Sequence, residues 1–351
     1  MKVFRSPQNP LILPDVIKPS REDFEVHYTM NCGVTEFEGD VLLLLRVAET
    51  PINRDPNIVM APYFSEATGK VEVKTFDAHD PTIDFSDPRV IEPADKRDRI
   101  LTTISHLRVA RSKDGVNFVV EEKPAMYPAN KYEEFGIEDP RITLIDGVYY
   151  INYSCCASVG VTTCLATTTD FKTFERKGVI FTPDNKDVAI FPEKRNGKYL
   201  ALCRPASAEY KKREIWISES SNLVEWGNHK QLVSVNETDW DNGRIGCSAV
   251  PFLTEKGWVE IYHAADANDR YCLGALLLDK DQPTKVIGKS FKPVMEPLAS
   301  YEKWGFYGPV IFLCGCLVEG DTVKLYYGAA DTSVCYAEVS LQDIFSELTY
   351  Y

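Results

Sequence analysis

The segment Glu138-Asp139-Pro140-Arg141 crowds two carboxylates, a proline and a guanidinium into one turn, directly ahead of the apolar run LIDGVYYINY. Proline fixes its own φ, so the backbone beside Asp139 is restrained, and a neighbouring Arg or Glu can orient or balance that carboxylate. Such an arrangement offers a general acid at the mouth of a pocket; the plain alternative is a solvated turn. Elsewhere four strand-like segments end or break on a polar residue at about the same phase: Arg46 in LLRVAE, Arg204 in LCRPA, His263 in IYHAAD and Asp331 in YYGAAD. Charge among apolar residues is costly without a partner or a purpose. Four in register therefore argue for a shared site.

The residue types gathered in this way are informative. Arg46, Lys186, Arg204, Arg244, His263 and Arg270 supply cations, while Glu49, Glu138, Asp139, Asp187, Glu193, Asp266 and Asp331 supply acids. One well-placed acid among several cations suits a neutral polyhydroxy substrate together with a small anion, and arginine matches phosphate through paired hydrogen bonds. Tyr132, Phe135, Tyr271, Trp304, Phe306 and Tyr307 stand near strand ends, where aromatic rings can stack on sugars. Core packing is the better account of more than half of them. The chain contains no nucleophile elbow, phosphate-binding P-loop, dinucleotide fingerprint or His-Glu-x-x-His motif, which leaves carboxylate-driven sugar chemistry as the leading enzyme class.

The elements that must position these residues repeat. A glycine turn followed by a strand of aromatic and β-branched residues recurs at Gly39, Gly147, Gly197, Gly257 and Gly320, and the last three intervals are 50, 60 and 63 residues. A second recurring element is a short strand, a polar turn with Asp or Asn, and a large aromatic: Phe118, Phe174 or Trp226. Several strands per unit at this period predict an all-β fold, a five-bladed β-propeller formed as a single domain over residues 1–351. A β-sandwich is the alternative. The first interval, 108 residues, exceeds one blade, so the charged segment Asp80–Arg99 is expected to form a long loop. Helix signal is confined to SLQDIFSELTYY, where a short C-terminal helix capped by Ser340 is expected.

Composition narrows the partners. A net charge of −13 over 351 residues argues against a nucleic-acid face and against anionic membrane surfaces. The ten cysteines lie mostly in apolar runs and form no Cys-x-x-Cys pair, so neither a disulfide framework nor a structural zinc is expected. The first residues, MKVFRSPQNPLILPDV, are broken by prolines and lack a signal-like apolar core. Together these predict a reduced, cytoplasmic protein; whether it forms a homo-oligomer is left open.

The motifs NCGV, LLRVAE, HLRVARSKDGVNF, FGIEDPRIT, LATTTDFKTFER, NKDVAIFPEKRNGKYLALCRP, GFYGPVIFLCG and YYGAAD, in this order along nearly the whole chain, resemble glycoside hydrolase family 130. That family comprises five-bladed β-propeller mannoside phosphorylases and related mannosidases. The resemblance implies an inverting reaction that converts a β-mannoside and inorganic phosphate to α-mannose 1-phosphate, with no organic or metal cofactor. It puts the catalytic acid on Asp139, acting through a hydroxyl of the bound mannose, and phosphate on Arg204, His263, Lys186 and Tyr271. Asn31, Arg46, Glu49, Glu138, Arg141, Asp187, Glu193 and Asp331 are then expected to contact substrate. The branch it resembles most contains β-1,2-oligomannan and β-1,2-mannobiose phosphorylases. β-1,4-Mannooligosaccharide and mannosylglucose phosphorylases, a phosphate-independent β-mannosidase and a non-catalytic carbohydrate-binding propeller are the alternatives. The chain departs from the family pattern at Cys203, where histidine is common, and at Asp187, where asparagine is common and where a carboxylate would repel phosphate unless it points away.

Overall fold

Glycine turns set the framework. In the computed structural model, which describes residues 2–94, 99–206, 213–236 and 239–351, Gly39, Gly147, Gly197, Gly257 and Gly320 all have positive φ. Each sits in a tight turn between two antiparallel strands. Glu38, Asp146 and Asn196, which precede three of them, are also left-handed. Two consecutive positive φ values define the turn whose twist matches paired strands.

From these hairpins grow five sheets. The first contains Phe24–Phe37, Asp40–Pro51, Ile104–Ser112 and Val119–Val120, and the second Ile137–Ile145, Val148–Ala157, Gly160–Thr168 and Glu175–Phe181. The third contains Asn185–Ile190, Tyr199–Pro205, Ile215–Ser220 and Trp226–Val233. The fourth is built on Arg244–Cys247, Gly257–Ala265, Tyr271–Leu278 and Val286–Ser290, with Leu348–Tyr350 on its edge. The fifth contains Ile311–Glu319, Thr322–Ala329 and Ser333–Ser340, and the N-terminal strand Val3–Arg5 supplies its fourth member.

The polar turns of the second recurring element share one chemistry. Ser112, Thr168 and Ser220 accept from the backbone N–H three residues on, at Gly115 (3.0 Å), Phe171 (2.9 Å) and Leu223 (2.9 Å). Such side-chain bonds let short polar residues close turns.

Apolar side chains fill the space between neighbouring sheets. Leu42, Leu44 and Val109 meet Ile151 and Tyr153 between the first and second, and Ile145 and Leu165 meet Val188 and Ala201 between the second and third. Leu202 and Ile217 meet Ile245 and Trp258, and Ile261 and Leu273 meet Leu313 and Leu325. Cys32, Val34 and Leu43 then meet Tyr326 and Val334, which returns the packing from the fifth sheet to the first. The result is an all-β, propeller-like fold with two short α-helices, Ser300–Lys303 and Leu341–Ser346, among the described residues. The second is the expected C-terminal helix, and Ser340 caps it by accepting from Asp343 N at 3.2 Å.

One expectation is corrected. The long first interval is not a bare loop: between Pro51 and Ile104 the chain forms the pair Ile58–Ser65 and Lys70–Asp77 and three short strands at Ile83–Asp84, Val90–Pro93 and Ile100–Leu101. Residues 95–98 of the segment lie outside the described residues. The cross-strand partners Ile91 and Ile100 are buried with Ala61 and Phe135, which orders this part of so charged a stretch. All ten cysteines are free and nine are buried.

Gly147, at φ +80°, stands at the far end of its hairpin from Asp139. Gly147→Val should lower stability in chemical denaturation by about 1–3 kcal/mol while leaving turnover at saturating substrate intact.

Candidate active site

The first strands of three sheets are interrupted at the same place. Pairing slips between Met30 and Gly33, between Glu138 and Arg141, and between Lys186 and Ala189. Each bulge contains one left-handed residue: Asn31 (φ 46°), Asp139 (φ 49°) and Asp187 (φ 56°). Asn and Asp tolerate this conformation better than other side-chain-bearing residues. A bulge re-aims its side chain out of the regular alternation, and these three converge on one centre.

On one side of that centre lies an acid group. Asp139 Oδ1 accepts from Asn31 Nδ2 at 2.9 Å and from Arg46 Nη1 at 3.0 Å, while Arg46 Nη2 donates to Glu138 Oε1 at 2.6 Å. Burial pushes the Asp139 carboxyl upward, but the charges of Arg46, Lys186 and Arg141 and the Asn31 bond outweigh it and hold the pKa below the usual carboxylate range. Asp331, left-handed at φ 48° in the turn after Thr322–Ala329, shares this side. Burial raises its pKa to about 6, against the opposing pull of Arg46.

On the other side lie the cations. Arg141 is 1% exposed and donates to four acceptors. Nη1 reaches the Asp139 carbonyl at 2.9 Å and Nε the Ser248 carbonyl at 3.1 Å; Nη2 reaches the Cys247 carbonyl at 2.9 Å and Asp187 Oδ1 at 3.4 Å. The other Asp187 oxygen lies 2.9 Å from Arg204 Nε and 3.4 Å from His263 Nε2. Burial opposes ionisation of Asp187, yet the charge of Arg204, a hydrogen bond with His263 and the charge of Arg141 hold its pKa well below the ordinary value. Gly246 permits this approach, since a Cβ there would come within 2.7 Å of Asp187 Oδ2 and of the His263 ring. Lys186 pairs in the backbone with Arg204. Burial lowers its pKa, but Asp187, Glu138 and Asp139 more than restore it, and its ammonium hydrogen-bonds to none of the described residues.

His263, expected as a cation, has surroundings that favour the neutral imidazole. Complete burial lowers its pKa to about 4, and Arg204 and Arg141 add to that against Asp187. Nδ1 faces Ser248 Oγ at 3.0 Å, and Nε2 lies 3.3 Å from Arg204 Nη1 and 3.4 Å from Asp187 Oδ2. Tyr271 lies beside it, the ring centroids 6.1 Å apart, and Phe312 closes in at 4.3 Å.

Two expected contacts are not brought to this centre. Glu49 is buried and accepts from Ser20 N at 2.7 Å and from Ser20 Oγ, beside Arg108 and His106, so it fastens the N-terminal segment to the first sheet. Glu193 is exposed beyond the opposite end of the strand that carries Lys186 and pairs with Arg195 at 3.0 Å. Arg270 pairs with Glu296, and Asp266 closes its own turn through Asn268 N at 2.8 Å. Of the aromatics, Phe135 is core, Phe306 stacks on Tyr28 at 4.3 Å, and Tyr132 and Trp304 are exposed. Sequence reasoning missed Gly246, Ser248 and Phe312. The signal for Gly246 and Ser248 is the run Gly246-Cys247-Ser248, placed in the fourth sheet where the others carry their bulges.

An all-β, propeller-like fold that brings carboxylates and guanidiniums together fits carboxylate-driven glycoside chemistry. The model of glycoside hydrolase family 130, described as β-1,4-mannooligosaccharide phosphorylase, matches residues 87–349, and the chain belongs to that family. It is 46% identical over 350 residues to a β-1,2-mannobiose phosphorylase of Listeria innocua, covering 99% of each chain. It is 42% identical over 244 residues to a 1,2-β-oligomannan phosphorylase of Thermoanaerobacter, covering 69% of this chain and 80% of the relative. The solved structure of the Listeria innocua enzyme with β-1,2-mannobiose superposes with a TM-score of 0.96 over 99% of each chain.

Two outcomes follow from the electrostatics. Asp187→Asn leaves buried guanidinium charge uncompensated, so without phosphate it should unfold more easily by about 3–5 kcal/mol. Its thermal shift on adding phosphate should exceed that of the unaltered protein. For Asp331, the folded pKa of about 6 exceeds the ordinary 3.8, so the folded state holds the extra proton between these values and loses stability as pH rises through that window. Asp331→Asn should therefore gain melting temperature relative to the unaltered protein between pH 4 and 7 on the order of a few degrees.

Proposed function

We propose that the protein is an inverting β-mannoside phosphorylase that converts β-1,2-mannooligosaccharides and inorganic phosphate, reversibly, to α-mannose 1-phosphate and a shortened acceptor. The five sheets are read as five blades of one propeller forming a single catalytic domain, with the substrates meeting at its axis. The observation that carries the reading is the adjacency of one acid group, Asn31–Asp139–Arg46–Glu138, to one buried cation group, Lys186–Arg141–Arg204, joined through Arg141. The full-length similarity to a β-1,2-mannobiose phosphorylase supports the β-1,2 linkage over the β-1,4 linkage in the family description.

Phosphate docks on Lys186 and Arg204, with Tyr271 and His263 as hydrogen-bonding neighbours, and its oxygen attacks C1 of the mannosyl unit from the α face. The β-glycosidic C1–O bond breaks, and the acceptor oxygen takes a proton. Over the cycle that proton comes from hydrogen phosphate, which enters as a dianion carrying one proton, while the mannosyl ester leaves as a dianion carrying none. Asp139, through a hydroxyl of the sugar, is the path by which the proton reaches the leaving oxygen. In the free protein Asp139 is held ionised by surrounding positive charge. A phosphate dianion on Lys186, whose charge helps lower the Asp139 pKa, offsets that charge and raises the affinity of Asp139 for a proton when it is needed. Asn31, Arg46, Glu138 and Asp331 orient the sugar and the acid.

A hydrolase needs a second carboxylate to activate water. Asp187 is the nearest second acid in the cation group, but two arginines hold it well below the ordinary carboxylate range, which makes it a weak base. Free, mostly buried thiols agree with a reduced, cytoplasmic setting, and no helix among the described residues is long and apolar enough to cross a membrane.

Asp139→Asn should retain the fold and lose activity by about 10²–10⁴-fold, measured as phosphate-dependent release of α-mannose 1-phosphate from β-1,2-mannobiose. Release of free mannose at equal rate without phosphate would reject phosphorolysis. Incubating α-mannose 1-phosphate with mannose and determining the linkage formed tests the β-1,2 assignment.

A further inference from the structure

A chain of contacts that meets the proposed chemistry only at its last residue, Tyr271, runs along the edge of the site. It begins at Arg89, in the segment inserted between the second and third strands of the first sheet. The backbone there is pinned to the foot of the third strand: Thr102 N donates to Arg89 O at 3.1 Å and Thr102 Oγ1 to Pro88 O at 2.7 Å. Asp87 holds the guanidinium through Nε at 2.9 Å and Nη2 at 2.7 Å, flat over the Tyr307 ring at 4.3 Å. Tyr307 lies between the helix Ser300–Lys303 and the fifth sheet, and its N–H donates at 3.1 Å to the carbonyl of Ala330, next to Asp331. Its hydroxyl donates at 2.8 Å to Asp269, in the turn before Tyr271. Asp269 pairs with Arg244, whose guanidinium lies 5.2 Å over Tyr271.

Four separate parts of the chain thus meet in one rim, held by side chains. The Arg89 end stands on the acid side, close enough for its charge to act on the Asp331 carboxyl. In an inverting displacement the leaving group departs opposite the nucleophile. With phosphate on Lys186 and Arg204, the leaving group departs toward the acid side, where the Arg89 end of this rim stands and Tyr307 N–H donates to the carbonyl next to Asp331. The Arg89 side chain is 40% exposed, so it divides solvent from site. Its guanidinium covers the ring face of Tyr307, and the Tyr307 hydroxyl is committed to Asp269. A second acceptor sugar would have to displace that stack or break that bond.

We propose that Arg89 and Tyr307 form a specificity-determining wall that confines the acceptor side to one mannosyl unit, so that the enzyme prefers the disaccharide to longer β-1,2-mannooligosaccharides; this rests on the phosphorolysis reading above. The wall acts on chain length and not on the bond-breaking step. Arg89→Ala removes the cover from the ring, Tyr307→Phe keeps the ring and removes the hydroxyl with its bond to Asp269, and Tyr307→Ala removes both ring and hydroxyl.

The test measures kcat and KM for α-mannose 1-phosphate release from β-1,2-mannobiose and β-1,2-mannotriose, with melting curves to confirm that each variant is folded. The unaltered enzyme should favour mannobiose in kcat/KM by about tenfold or more, within the range that pocket shape can supply. Arg89→Ala and Tyr307→Ala should narrow that ratio about tenfold, chiefly through a lower KM for the trisaccharide, and Tyr307→Phe should do so less. Equal use of both sugars by the unaltered enzyme overturns the wall. Folded variants whose rates on both sugars fall in parallel overturn it too. Absence of α-mannose 1-phosphate from either sugar with the unaltered enzyme overturns the phosphorolysis reading and the wall with it.

Discussion

Arg141 is the interaction on which the rest of the site depends. A guanidinium withdrawn from water is costly unless nearly all its donors are satisfied. Here they reach the Asp139 carbonyl, the Cys247 and Ser248 carbonyls and the Asp187 carboxylate, so one side chain ties the second, third and fourth sheets together. Its charge also helps hold Asp139 and Asp187 ionised. Position and protonation of the two central acids therefore share one cause.

Around it the charges alternate. Arg46 stands against Glu138 and Asp139, Arg141 against Asp139 and Asp187, and Arg204 against Asp187. Such an array keeps each buried ion near an opposite one, which is the condition under which burial is tolerable. Lys186 stands apart, raised in pKa by its acidic surroundings and hydrogen-bonded to none of the described residues. That asymmetry gives an incoming anion a natural first contact. The Asp187 carboxylate, by contrast, is paired with Arg204 and Arg141.

The scaffold is repetitive, and the site comes from how the repeats differ. The bulge recurs in three sheets, but its left-handed residue is Asn31 in one and an aspartate in the other two. Sheets of nearly equal geometry thereby present a neutral donor, an acid and a counter-ion to the same centre. The packing between sheets is apolar throughout and could support other chemistry, so the function lies in these few positions.

Much of this was legible in the chain alone, for a local reason. Turn chemistry is decided by neighbours in sequence, so the glycines at Gly39, Gly147, Gly197, Gly257 and Gly320, the Ser340 cap and the motif around Asp139 could be read directly. Asp80–Arg99 could not, because its order comes from apolar residues packing on distant strands. Glu49 and Glu193 were grouped with the site by residue type, although the partner of Glu49 is Ser20 and Glu193 lies beyond the far strand end. The neutral state of His263 depends on complete burial beside Arg204 and Arg141, groups from other strands. Sequence by itself determined which residues could do chemistry and where strands turn, since both follow from side-chain type and adjacent backbone. Only the tertiary structure decided which charges meet and which protons are held, because burial and long-range pairing set those energies.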